Sequence, residues 1–255
     1  MLGLLPGLAL AAPMPGRVTD AVTGEVLDET AVLQRIGAAQ RVLLGERHDS
    51  AADHAAQRWL LAALDERRPQ RALVLEMVAS ERQPRLQRVQ RWLAAGNPVD
   101  PQQLPTQLDW DTRWPWSAYG DLVSDAARRG IALYGGNLAR SEVNRLLSAT
   151  TPVVFPQPEA RARLTAVVLG MHAGAEPMLE GMLAVQQARD TRMAQVLADA
   201  PTPALLLAGR WHVLRGTGVP GYLRAEQPVL VIAQASPGES ISAQDADLLW
   251  WLDNE

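Results

Sequence analysis

Apolar residues along this chain gather into short unbroken runs, set apart by longer segments with a helical period. The runs are Val42–Leu44, Ala72–Leu75 followed by Glu76 and Met77, Ile131–Tyr134, Ala204–Ala208 and Pro228–Ala233. Unbroken rather than alternating runs suit strands covered on both faces, as in a parallel sheet. Between the first two runs, Ala56, Trp59, Leu60, Ala63 and Leu64 recur at i, i+3, i+4, i+7 and i+8. They mark one face of a helix over 53–67, with Asp53 as its expected N-cap. Strand, helix and strand within about 35 residues make a βαβ unit with parallel strands.

The same periodicity predicts helices over 31–38, over 81–95 with Pro84 in the first turn, and over 117–129 ending at Gly130. From Leu138 to about Ala200 no convincing strand occurs, and the spacing predicts helices over 141–147, 158–171 and 177–197. That stretch is too long for a single crossover. The expected fold is therefore α/β: a largely parallel sheet flanked by helices, with a smaller helical subdomain or lid. Residues 13–137 and 201–255 form the expected core and 138–200 the helical insertion. Leu2–Ala12 is apolar and small, with Ala9-Leu10-Ala11 like a small-x-small cleavage site, so residues 1–12 read as a signal-peptide remnant. This stretch is too short to span a bilayer.

Composition removes several chemistries. All 24 positive residues are arginine, so a lysine nucleophile or Schiff base is excluded. The chain has no cysteine, which excludes thiolate catalysis, disulfides, iron–sulfur clusters, cysteine zinc sites and a lipid anchor on cysteine. A net charge of -4 gives no reason to expect nucleic acid or an anionic membrane as the main partner. Arg82, Arg85, Arg88 and Arg91 are spaced by three. This stripe is either an anion clamp for propionates or phosphate, or a solvated helix face, and the solvated face is preferred.

The candidate chemistry lies at the strand ends. Gly45-Glu46-Arg47-His48 and Gly209-Arg210-Trp211-His212 each follow an apolar run, so G-x-x-H occurs twice and uses two of the four histidines. Ligands of open α/β sheets bind outside the carboxyl ends of the strands, where these residues and Glu76 should meet. His48, His212 and Glu76 could hold zinc, manganese or non-haem iron with open positions. Glu46, His48, Glu76 and His212 without metal could instead provide a general base oriented by a carboxylate. His54 is either a partner of His48 or an exposed helix residue, and the exposed reading is preferred. His172, at a helix end, is a dipole-stabilised terminus or a ligand carried by the lid. Trp110, Trp114 and Trp116, followed by Tyr119, suit either the wall of a flat apolar cavity or a core. The helix over 177–197 carries Met178, Met182, Val185, Gln186, Met193 and Val196, which is adaptable core or the lining of a hydrophobic-ligand site.

Leu43-Leu44-Gly45-Glu46-Arg47-His48-Asp49 with His54, Leu75-Glu76-Met77, the aromatic stretch through Tyr119, Ala188-Arg189-Asp190-x-x-Met193-Ala194 and Ala208-Gly209-x-x-His212 through Gly218-Val219-Pro220 occur in this order. The set resembles the ChaN-like haem-binding uptake family over roughly 41–233. The resemblance implies an α/β protein with a small helical domain in the bacterial envelope, and so a periplasmic location. It implies haem held through a tyrosine, with paired haems stacked between the protomers of a dimer, in concert with an outer-membrane haem receptor system. Tyr119 matches the ligand position best, ahead of Tyr134 and Tyr222, and Trp116, His172, Met178 and Met182 are the expected pocket residues. The same superfamily includes Tiki-type metal-dependent proteases, whose pattern falls on His48, His212 and Glu76. Arg47 stands where that pattern leads one to expect an uncharged residue.

Two functions follow. One is a non-catalytic haem-binding envelope protein using Tyr119. The other is a divalent-metal hydrolase using Glu46, His48, Glu76 and His212.

Overall fold

The computed structural model describes residues 12–98, 100 and 102–253, so the apolar leader stretch lies outside it except for Ala12. The chain opens with a two-stranded hairpin, β1 (Arg17–Asp20) and β2 (Val26–Leu27), and a helix α1 (Glu29–Ala38) capped by Asp28. The first βαβ unit follows as β3 (Arg41–Glu46), α2 (Ala51–Asp65) and β4 (Ala72–Ala79). Next come α3 (Gln83–Ala94), α4 (Leu104–Leu108), α5 (Trp116–Arg128) and β5 (Ala132–Asn137). The helical stretch comprises α6 (Arg140–Leu147), α7 (Ala160–Met171) and α8 (Leu179–Asp199). The chain closes with β6 (Ala204–Gly209), a single turn α9 (Arg210–Val213), β7 (Leu230–Ala235) and β8 (Leu248–Trp251).

The eight strands form one sheet in the order β2-β1-β8-β7-β3-β6-β4-β5. Pairing is parallel from β8 through to β5, and only β1 runs antiparallel to its neighbours. The α/β fold expected from the apolar runs is therefore present. Side chains alternate between two cores. Val42, Leu44, Leu73, Leu75, Leu205 and Leu207 face α2, α3 and α5, while Leu43, Val74, Leu206 and Val231 face Met193, Ala194 and Leu197 of α8. Both faces are buried, which explains why the strands read as unbroken apolar runs.

The helical stretch has two roles. The C-terminal half of α8 covers the sheet, and α6 and α7 pack mainly on α8. Phe155, Ala160, Leu164 and Leu183 give this lobe a small core of its own. Gly181 is required where the two helices meet, because a Cβ there would fall on the backbone of Leu147 in α6. The methionine stripe is accordingly split: Met193 is fully buried, Met182 is half-buried, and Met178 is 53% exposed.

Two local expectations are corrected. The N-cap of α2 is Ser50, not Asp53, and Ser50 Oγ accepts the Asp53 N–H at 3.1 Å. Asp53 sits one turn in, where its carboxylate binds the guanidinium of Arg47 at 2.5 Å. His54 is not exposed: it is 6% accessible and its ring meets Tyr119 edge-on, with centroids 4.7 Å apart.

Candidate functional site

Three parallel strands deliver the site. β3 ends at Glu46, β6 ends at Gly209, and the β4–β6 ladder stops at Leu75, one residue before Glu76. The β4–β5 register also shifts between Leu75 and Ala79. Where backbone pairing stops, the Glu76 side chain takes over, and its Oε2 accepts the Gly209 N–H at 2.7 Å. A buried amide that has lost its ladder partner is thus satisfied by a carboxylate.

Around this point two buried networks meet. In the first, Glu46 Oε1 accepts from the Tyr119 hydroxyl at 2.5 Å and lies 2.8 Å from His48 Nδ1, while its Oε2 accepts from Gln57 Nε2 at 2.5 Å. Gln57 also donates to Gln234 Oε1 at 3.1 Å, tying α2 to β7. His54 Nε2 stands 3.7 Å from Glu46 and has no hydrogen-bond partner. In the second network His212 lies between two carboxylates, with Nε2 3.3 Å from Glu76 and Nδ1 2.5 Å from Asp190. Gln186 approaches His212 Nδ1 at 2.9 Å.

His48 connects the networks to solvent. Its side chain is 41% accessible, whereas Glu46 is fully buried. The imidazole lies over Gly209, where an added Cβ would come within 2.6 Å of His48 Nε2 and 3.5 Å of Glu76 Oε2. Glycine at this strand end therefore makes room for the histidine of the other G-x-x-H. Trp114 closes the outer side, edge-on to His48 at 4.8 Å.

The electrostatics follow from burial and pairing. Burial disfavours a cation on His212, but the charges of Glu76 and Asp190 and their hydrogen bonds outweigh it and raise its pKa to about 10. Burial would raise Glu76, yet His212, His48 and Arg189 hold its carboxyl well below the usual range. Asp190 moves up to about 6, because burial and the charge of Glu76 exceed the pull of His212. At neutral pH the second network is thus an imidazolium held by two carboxylates. His48 is raised despite burial, through Glu46 and Glu76, and His54 is lowered, chiefly by burial. Burial and the Glu46 charge push the Tyr119 phenol far above its ordinary value, so it remains a donor.

The structure brings together Glu46, His48, Glu76 and His212, as the strand-end motifs imply. Among the described residues, no group of three or more His, Asp or Glu side chains is arranged to hold a metal ion. The pocket residues of the resemblance are divided. Tyr119 is 1% exposed inside the core under α5, and Trp116 packs edge-on to Trp110 at 5.0 Å. His172, Met178 and Met182 lie in the helical lobe, which is built on the opposite face of the sheet. A separate open cleft of about 730 Å³ contains none of these residues. Its arginines are already paired, Arg163 with Asp245, Arg210 with Glu239 and Arg215 with Asp247.

Gln57 and Asp190 join the site without being among the candidate residues read from the sequence, whereas Trp114 belongs to the tryptophan stretch read there as cavity wall or core. Asp190 stood within the quoted Ala188-Arg189-Asp190 motif, and Gln57 had no signal beyond its position one turn after His54. Arg47 points away from the site. It clamps Asp53, Ser236 and the Leu252 carbonyl, joining β3, α2 and the C-terminal segment.

The fold has counterparts. The structure of ChaN from Campylobacter jejuni, described as showing cofacial haem binding, superposes with a TM-score of 0.80 at 24% identity, over 92% of this chain and 95% of that one. The type III effector HopBA1 matches at a TM-score of 0.50 and 15% identity, over 88% and 93% of the two chains. An erythromycin esterase, EreC in its open conformation, matches at 0.49 and 19% identity, over 87% and 77%. No curated protein sequence matches significantly. The family model for haem-binding uptake proteins of the Tiki superfamily, ChaN, matches residues 32–223, which takes in both G-x-x-H motifs, Glu76, Tyr119, Asp190 and the helical lobe. The chain belongs to this ChaN-like haem-binding uptake family.

Proposed function

We propose that this protein binds haem as cargo and serves haem-iron uptake in the bacterial cell envelope, in the periplasm, as a homodimer that exchanges haem with an outer-membrane receptor. Family membership across residues 32–223 is the observation that carries this reading. The helical lobe supplies residues that fit the ligand. α7 ends at His172, whose imidazole is exposed, and a tight turn leads from it to Met178. Met171 and Met178 are 67% and 53% exposed. An accessible imidazole beside exposed thioether side chains suits the apolar face and the iron of a porphyrin.

Tyr119 is placed differently. As arranged here its hydroxyl donates to Glu46, and it ligates iron only by breaking that bond, losing its proton and leaving the core. Haemin titration of wild type, His172→Ala and Tyr119→Phe, followed by absorbance, separates the two candidates. Saturable wild-type binding that weakens about tenfold or more in His172→Ala assigns the lobe. Loss of a tyrosinate charge-transfer band in Tyr119→Phe assigns the tyrosine. A wild type without saturable binding overturns haem binding altogether.

One observation favours a second reading, acid–base hydrolysis at the strand ends. His48 is the accessible member of an otherwise buried network, and Glu46 orients its ring. Under this reading Gly209→Ala, which drives the imidazole from its place, should abolish hydrolysis of ester and amide substrates, tested with and without added zinc or manganese. Wild-type protein inert towards the panel removes the reading.

A further inference from the structure

The arginine stripe of α3 does not survive as a single row. Arg82 precedes the helix and turns inward, pairing with Asp109 at 3.4 Å. Arg85, Arg88 and Arg91 are exposed, and among the described residues none of them forms an ion pair. With about 100° between successive residues, these three and Trp92 fall within an arc of roughly 120°. Leu86 and Val89 occupy another arc and are buried, so the helix is anchored by one side. No acidic residue occurs in Gln83–Ala94.

Trp92 gives the face its second property. Of the eight tryptophans it alone is exposed, at 52%. Its Nε1 donates to the Pro98 carbonyl at 3.2 Å, which fixes the ring against the following loop. The other seven are buried or half-buried.

We propose that this face of α3 docks the protein on an anionic phospholipid surface. Three unpaired guanidinium groups match a layer of phosphate headgroups. An indole with its N–H already satisfied presents a ring suited to the headgroup–acyl boundary, where tryptophan is enriched. An acidic protein partner would be met by the arginines alone and would leave the exposed ring without a role. The contact is one of surface adsorption, since no helix among the described residues is long and apolar enough to cross a membrane.

The test uses the full chain, sedimented with phosphatidylglycerol–phosphatidylcholine vesicles and with pure phosphatidylcholine vesicles. Wild type should bind only the anionic vesicles, and added salt should weaken the binding. Replacing Arg85, Arg88 and Arg91 together by Gln should lower the partition coefficient roughly a hundredfold. Trp92→Ala should give a several-fold loss that persists at high salt. All four positions are exposed, so circular dichroism should confirm unchanged folding. Equal partitioning of wild type and the triple variant overturns the proposal. So does binding to soluble polyglutamate without binding to vesicles, which would assign the face to an acidic protein. Loss of haemin binding in the triple variant would reassign the arginines to propionates and likewise overturn it. Retained haemin binding with lost vesicle binding supports the docking surface separately from the haem site.

Discussion

Glu76→Ala should lower the unfolding free energy by about 3–5 kcal/mol, a large share of the stability of an ordinary domain. The carboxylate is 2% exposed and has two buried clients. Its Oε2 is the acceptor for the Gly209 amide, and its Oε1 faces the His212 imidazole at 3.3 Å. Truncation leaves the amide unpaired, leaves His212 with Asp190 as its one adjoining carboxylate, and opens a void between β4 and β6. Glu76→Gln keeps the shape and the acceptor for Gly209 and removes only the charge, so it should cost less. Urea unfolding at neutral pH measures both. A loss under about 1 kcal/mol for the alanine variant would match a single ordinary hydrogen bond and would show that His212 is not held as a cation.

The second large effect is an alkaline loss of stability by several kcal/mol in total, centred on His212. Its pKa is raised from 6.5 to about 10 in the folded state, so the folded protein holds this proton more tightly than the unfolded chain does. The contribution is complete below pH 6.5 and disappears as pH rises to about 10. His48, also raised, acts in the same direction. Glu76 has the opposite sign: its pKa is depressed, so its contribution is present above pH 4.5 and lost as pH falls below that. Asp190, raised from 3.8 to about 6, favours the folded state less as pH climbs through that interval. Thermal unfolding followed across pH should therefore show its maximum on the acid side of neutrality and a decline towards pH 10. Asp190→Asn, which keeps the side-chain shape and removes one carboxylate from His212, should bring the end of that decline to lower pH. A profile flat between pH 6.5 and 10 would mean that His212 is neutral in the folded protein.

The sheet's central strands were legible because both of their faces are buried. Val42–Leu44, Ala72–Met77 and Ala204–Ala208 have no polar side to disguise them, and the sequence placed their ends within a residue or two of the structure. The edge was less legible. β1 and β2 are four and two residues long, and β8 reads Leu248-Leu249-Trp250-Trp251, too short for a pattern to stand out. α4 and α9, of five and four residues, are single turns set by tertiary contacts. At the site, the doubled G-x-x-H located His48 and His212 because a fixed spacing after a strand survives folding. Asp190 reaches His212 from the middle of α8, and Gln57 reaches Glu46 from the second turn of α2. Helix-borne partners such as these share no strand-end frame, and only the packing of the two layers brings them in. The tryptophan stretch is the instructive case. Its density is equally compatible with a cavity wall, and the structure uses Trp110 as core, half-buried Trp116 as packing against it and Trp114 as a cover for His48.

The strand order also bears on how the molecule is made. β3 and β4 are joined directly through α2, yet they do not touch as neighbours, because β6 lies between them and β7 flanks β3 on its other side. A nascent chain complete as far as Asp199 thus carries both halves of a gap without the strand that fills it. Its centre cannot zip up in the order of synthesis, and both partners of β3, β6 and β7, are made more than 150 residues after it. Such long-range closure favours folding in milliseconds to seconds rather than microseconds. Truncated N-terminal pieces should therefore be adhesive rather than partly native, and the Glu46–Glu76–His212 cluster comes into being only once β6 and α9 have been made and have entered the gap.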